Sequence, residues 1–199
     1  CKSDLSFEQQ STLLSSTINA NSVTFNGVNV TGDSSITVSD LYLKGNTIIG
    51  HCTVSFKNSK MSNTGVINMN SSQVICSASK MTNLGSVFMD SSTVTCHLEN
   101  EIILESTKST LSTLENSGTV DVHGTLDVVN LLSSSESVFC GDGLLRLGRE
   151  GFSTIKGTVS CSLESFGTLS FEEEPVLKEA IIRGTVQGKT PAIFDKLTT

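Results

Sequence analysis

"MSNTGVINMNSSQVIC", residues 61–76, is followed at once by "SASKMTNLGSVFMDSSTVTC", residues 77–96. At an offset of 20 residues, Met61 meets Met81, Asn63 meets Asn83, Gly65 meets Gly85 and Ile67 meets Val87. The match continues through Met69 and Met89, Ser71-Ser72 and Ser91-Ser92, Val74 and Val94, and Cys76 and Cys96. Apolar residues alternate with polar ones inside each copy, the period of a strand with one buried face. The phrase Gly-x-apolar-x-apolar returns at 118–122, 143–147 and 167–171, and shorter alternating segments lie between. Each is bounded by Gly, Asn, Asp or Ser, residues that form turns.

Short strands in repeats of roughly 20–25 residues describe the turns of a solenoid. One turn cannot bury its inward row alone. A second turn stacked about 4.8 Å above it pairs every strand and closes a core, and identical residues then form columns. The sequence therefore predicts an all-β parallel β-helix over residues 20–171. It is right-handed, as crossovers between parallel strands are. The segment 97–116 reads as a rung lacking the glycine, and 131–143 as a corner loop. Residues 1–19 differ: Phe7, Leu13, Leu14 and Ile18 stand at near-helical spacing behind Ser6 and Gln9, a capping-box pattern. They predict a short helix over the end of the stack. Residues 172–199, with Pro175 and Glu172-Glu173-Glu174, read as a distorted last rung or the start of a following segment.

Composition narrows the function. Of 199 residues 17% are charged, the net charge is -7, and no Lys/Arg cluster exists. A nucleic-acid backbone or anionic membrane is therefore a poor partner. No apolar run approaches a membrane span, and no cofactor motif is present. Six cysteines without a CxxC or finger-type Cys/His spacing argue against structural zinc. An even number fits an oxidising compartment, as do sequons at Asn29 and Asn70. The start on Cys1 reads as a mature N-terminus or an excised fragment. Cys76 and Cys96, one repeat apart, and Cys140 and Cys161, 21 apart, are disulfide candidates; Cys52, 24 before Cys76, fits the Cys76 column.

Residues able to do chemistry are sparse. Asp121 and Asp127 flank His123 and form the one acid/base or metal trio that the spacing offers. "GDG" at 141–143 is a single copy of a calcium-repeat fragment, and Thr93-Val94-Thr95 is one isolated rank of the kind that ice-binding faces repeat. Tyr42 and Phe88 each fall between apolar neighbours, so alternation turns both outward as binding anchors.

"NTGVI" at 63–67 and "NSGTV" at 116–120 resemble the recurring phrases of extracellular β-solenoid repeat proteins of the adhesin type. The resemblance implies the architecture and a surface role. The expected function is non-enzymatic recognition or adhesion at a cell surface, with a protein or glycan bound through a solenoid face or corner loop. The rivals are a carbohydrate-active β-helix enzyme, which needs acidic residues aligned across neighbouring rungs, and a structural spacer that self-associates.

Overall fold

The structure is a computed structural model. It describes residues 4–8, 11–57, 60–77, 80–148, 150–172, 175–188 and 193–198, and their side chains except those of 56, 57, 60, 76, 77 and 193–197. Met61 pairs in parallel with Met81 and Asn63 with Asn83; Ile67 pairs with Val87, Met69 with Met89 and Val74 with Val94. The doubled phrase is thus two successive turns of one coil, and the expected columns are real.

The described residues form a parallel β-solenoid of about nine turns, with strands and no helix. Each turn has three short sides, seen at Thr53–Lys57, Lys60–Asn63 and Val66–Asn70, then at Gln73–Ser77, Lys80–Asn83 and Ser86–Asp90. We call these the first, second and third faces. One inward column of the second face runs Val23, Leu41, Met61, Met81, Leu98, Leu114, Leu131, with every member at most 2% exposed. The coil is not uniform along it. At the end of the same face the step from Asn63 to Asn83 is 20, that from Asn83 to Asn100 is 17, and that from Asn100 to Asn116 is 16. These turns lie at or below the lower end of the roughly 20–25 residues expected, whereas the later step from Leu131 to Ser153 is 22. Ile36, Val54, Val74, Val94, Leu111 and Val128 line the first face, and Ile67, Val87, Leu104, Val120 and Phe139 the third.

The corners are specified chemically. A Cβ on Gly65 would lie 2.1 Å from Gly45 O, and one on Gly85 2.1 Å from Gly65 O. Glycine recurs there because backbone rests on backbone. In the 97–116 rung, Ile102 replaces it, and the ladder still closes through Ile103 N–H to Gly85 O and Thr119 N–H to Ile102 O. At the end of the second face Asn63, Asn83, Asn100 and Asn116 stack inside, each Nδ2 donating to the next Oδ1 at 2.7–2.8 Å. At the corner before the first face, Asp33, His51, Ser71 and Ser91 take positive φ, each followed by a buried Ser or Cys. The expected loop in 131–143 is a tight turn, in which Ser137 N–H and Oγ both reach Ser134 O.

Among the described residues of 1–19 the expected helix is not found. Asp4–Phe7, Thr12–Leu14 and Thr17–Asn26 are strands, and Phe7 stacks on Phe25, Leu13 on Val30 and Ile18 on Ile36. The rings of Phe7 and Phe25 are 5.5 Å apart. Ser6 Oγ donates to Glu8 rather than capping anything, and Gln9 lies outside the described residues. The near-helical spacing came from apolar residues on three sides of a single turn. Beyond 171, Val176–Ile182 pairs with Thr158–Ser165 and Thr185–Gly188 with Thr168–Phe171, in parallel.

Candidate functional site

Since the core consumes the inward columns, the surface open to any partner is made by the outward ones. On the third face one such column reads Ile48, Asn68, Phe88, Glu105, Asp121, Cys140. Beside it run Asn46, Val66, Ser86 and Ile103. Phe88, half-buried as alternation required, forms with Ile48 the apolar floor of a groove of about 360 Å³. Asn68, Asp90, Glu105 and Thr107 bring polar groups to it. Several of these are already oriented: Asn68 Nδ2 donates to Asn46 Oδ1 at 2.9 Å, and Asp90 Oδ1 accepts from Ser91 Oγ at 3.0 Å.

Tyr42 is 42% exposed but belongs to the second face, stacked between Thr24 and Ser62. The two aromatic residues expected as anchors therefore share no patch. The sequons lie on the third face, where Asn29 is half-buried and Asn70 exposed.

The trio read around His123 is rearranged. His123 Nε2 is 3.3 Å from Asp121 Oδ2 and Nδ1 is 3.2 Å from Asp142 Oδ1, so the Asp of "GDG" replaces Asp127. The hydrogen bond to Asp142, then the Asp121 charge, raises the imidazole above its ordinary value. Asp127 stands on the first face in a ladder with Arg146 and Glu164. There the Arg183 and Arg146 guanidinium groups hold the Glu164 carboxyl below its usual range. Glu172 pairs with Lys156, while Glu173 and Glu174 lie outside the described residues.

The cysteine expectations need correction. Cys140 and Cys161 are free thiols. Register explains why: Val138 and Phe139 pair with Thr158 and Val159, so Cys140 faces Ser160, and Cys161 is one residue further, buried in the core. Burial pushes the Cys161 thiol up to about 11; burial, then the Asp121 charge, raises Cys140. Cys52 is also free and does not share the Cys76 column, because Thr53 pairs with Gln73 and Cys52 therefore matches Ser72. Its Sγ is 2.9 Å from Gly50 O, a serine's place filled by a thiol. Cys96 is buried and is not among the free thiols, but the side chain of Cys76 lies outside the described residues, and with it the proposed Cys76–Cys96 pair.

Two features escaped the sequence reading. Acidic residues do align across rungs: Glu99 stacks on Glu115 and Glu105 on Asp121. His97, Glu99 and Glu115 also converge on the second face, their ligand atoms all within 4.8 Å of one another. The signal was present in "HLE", two outward residues of one strand, but pairing it with Glu115 required the length of that rung. No model of a known protein family matches the chain, and neither a curated protein nor a solved structure matches it.

Proposed function

We propose that this chain is a non-enzymatic extracellular recognition and adhesion domain, a right-handed β-solenoid of the adhesin type, that binds a neutral glycan in the third-face groove. The observation that carries the reading is the groove itself: an aromatic ring and an aliphatic side chain as floor, with amide, carboxylate and hydroxyl groups at its rim. A sugar ring offers that combination in reverse, with C–H faces for Phe88 and hydroxyls for the rim. Asp90 and Glu105 disfavour an anionic sugar. The extracellular assignment leans on the sequons, since three free thiols lend it no support.

The test is a glycan array probed with the wild type, Phe88→Ala and Tyr42→Ala. Saturable binding lost in Phe88→Ala and kept in Tyr42→Ala supports the reading. Binding lost only in Tyr42→Ala moves the site to the second face, and a blank array overturns the glycan reading in favour of a protein partner or self-association. A carbohydrate-active enzyme is the second reading, favoured by one observation: Glu105 lines the groove and stacks on Asp121. If a bound oligosaccharide is shortened by the wild type but not by Glu105→Gln, the enzyme reading replaces adhesion.

A further inference from the structure

We propose that His97, Glu99 and Glu115 form a binding site for a divalent transition-metal cation of the zinc type, on the second face and separate from the groove. His97 and Glu99 lie two residues apart on the strand Thr93–Asn100, so both point outward. Glu115 sits directly on Glu99 in the next rung. The solenoid thus holds two carboxylates one rung apart, about 4.8 Å at the backbone. His97 Nε2 is 3.1 Å from Glu115 Oε2. Tetrahedral zinc with bonds of about 2.0–2.2 Å separates neighbouring ligand atoms by about 3.3 Å, so this edge is near its bound length. Glu99 completes the set within the 4.8 Å that encloses all three ligand atoms.

Charge points the same way. Two stacked carboxylates repel, and each already has a cationic or hydrogen-bonding neighbour: Glu99 forms an ion pair with Lys80, and its Oε2 accepts from Thr82 Oγ1 at 3.3 Å, while Glu115 turns to His97. A cation between the two carboxylates takes over the work of Lys80, whose side chain is 46% exposed and free to swing into solvent. The imidazole selects the metal class, because a nitrogen ligand suits zinc or its neighbours whereas calcium and magnesium take oxygen. A pocket of about 310 Å³ that includes Glu99, Glu115 and Asn116 in its wall opens beside the site and leaves room for water as a fourth ligand.

The experiment is calorimetric titration of the whole chain with Zn²⁺, repeated with Co²⁺ to read ligand type from its absorption. Each variant's fold is checked by circular dichroism. One saturable site is expected, weakened at least tenfold in His97→Ala and in Glu115→Gln. Lys80→Met should bind about two- to fivefold tighter, since the competing ammonium is gone. His123→Ala and Cys140→Ser should bind as the wild type does. No saturable binding, binding insensitive to His97→Ala, weaker binding in Lys80→Met, or a thiolate-to-Co²⁺ band lost in Cys140→Ser would each overturn the site.

Discussion

Replacing Asn83 by Ala tests whether the internal asparagine column holds the turns together. Asn83 is fully buried. Its Nδ2 donates to Asn100 Oδ1 at 2.8 Å, Ile103 O at 3.0 Å and Gly85 O at 3.1 Å. Its Oδ1 accepts from Asn63 Nδ2 at 2.7 Å and Gly85 N–H at 3.2 Å. Removing the amide leaves Gly85 N–H and Asn100 Oδ1 without the partner that Asn83 supplied. Each such buried group costs about 1–3 kcal/mol, so the two add about 2–6 kcal/mol to the loss of the bonds themselves. Asn116→Ala is the comparison, because it deletes the same atoms at the end of the column. There Asn100 Nδ2 keeps its bond to Thr119 O, and the deleted bonds are those with Asn100 and Gly118 O, worth about 2 kcal/mol net. The difference between the variants cancels most of the packing loss and isolates the orphaned groups. Guanidinium unfolding followed by far-ultraviolet circular dichroism measures both, with end rungs watched for early loss. Equal destabilisation of the two variants, within about 0.5 kcal/mol, would refute the reasoning.

Gly65→Ala should destabilise by about 2 kcal/mol or more, because its Cβ meets Gly45 backbone, whereas Gly50→Ala meets only Thr31 Cγ2 at 3.6 Å and should be nearly neutral; thermal melts of the pair decide this. The ¹H NMR titration of His123 should give a midpoint above about 6.5, falling in Asp142→Asn, since the Asp142 hydrogen bond is the main cause of the raised value. A folded value above the unfolded one makes the interaction's stabilisation complete below about pH 6.5 and lost as pH rises through the folded value; a midpoint unchanged in Asp142→Asn counts against the pair. At pH 8, Ellman's reagent should modify half-buried Cys140 well before Cys161, whose thiol is held near 11 by burial. Mass mapping showing Cys161 modified first, without unfolding, would contradict that burial.

The architecture was legible because stacking constrains sequence directly. Met on Met and Asn on Asn at successive turns is the register itself, written in the chain. Legibility failed where different structures share one apolar spacing. Phe7, Leu13, Leu14 and Ile18 satisfy a helix about as well as they satisfy three sides of a small turn; only the partners Phe25, Val30 and Ile36 distinguish the two. It failed again where turn length changes. The spacing of Cys140 and Cys161 exceeds by one the local register that sets Phe139 on Val159, and a slip of one moves a side chain from surface to core. His97 and Glu115 were hidden for the same reason, because the coil tightens from a step of 20 at Asn63 and Asn83 to one of 16 at Asn100 and Asn116.

The outward columns then say where to look for a ligand, by a contrast that stacking alone does not produce. Before its charged ladder of Asp127, Arg146 and Glu164 begins, the first face presents Ser35, Thr53, Gln73, Thr93 and Thr110 in one line. These are small or neutral residues that repeat, as β-branched and hydroxyl pairs do when a sheet surface has only to be stable. The parallel line on the third face runs Ile48, Asn68, Phe88, Glu105 and Asp121, with polarity changing at each rung up to Glu105. Cross-strand pairing favours neither Phe on Asn nor Glu on Asp; the second pair repels. A surface that gives up pairing at successive rungs, with a half-buried ring in its middle, is the one that the proposed ligand would use. The Phe88 groove is therefore where a ligand should be sought before the smoother first face.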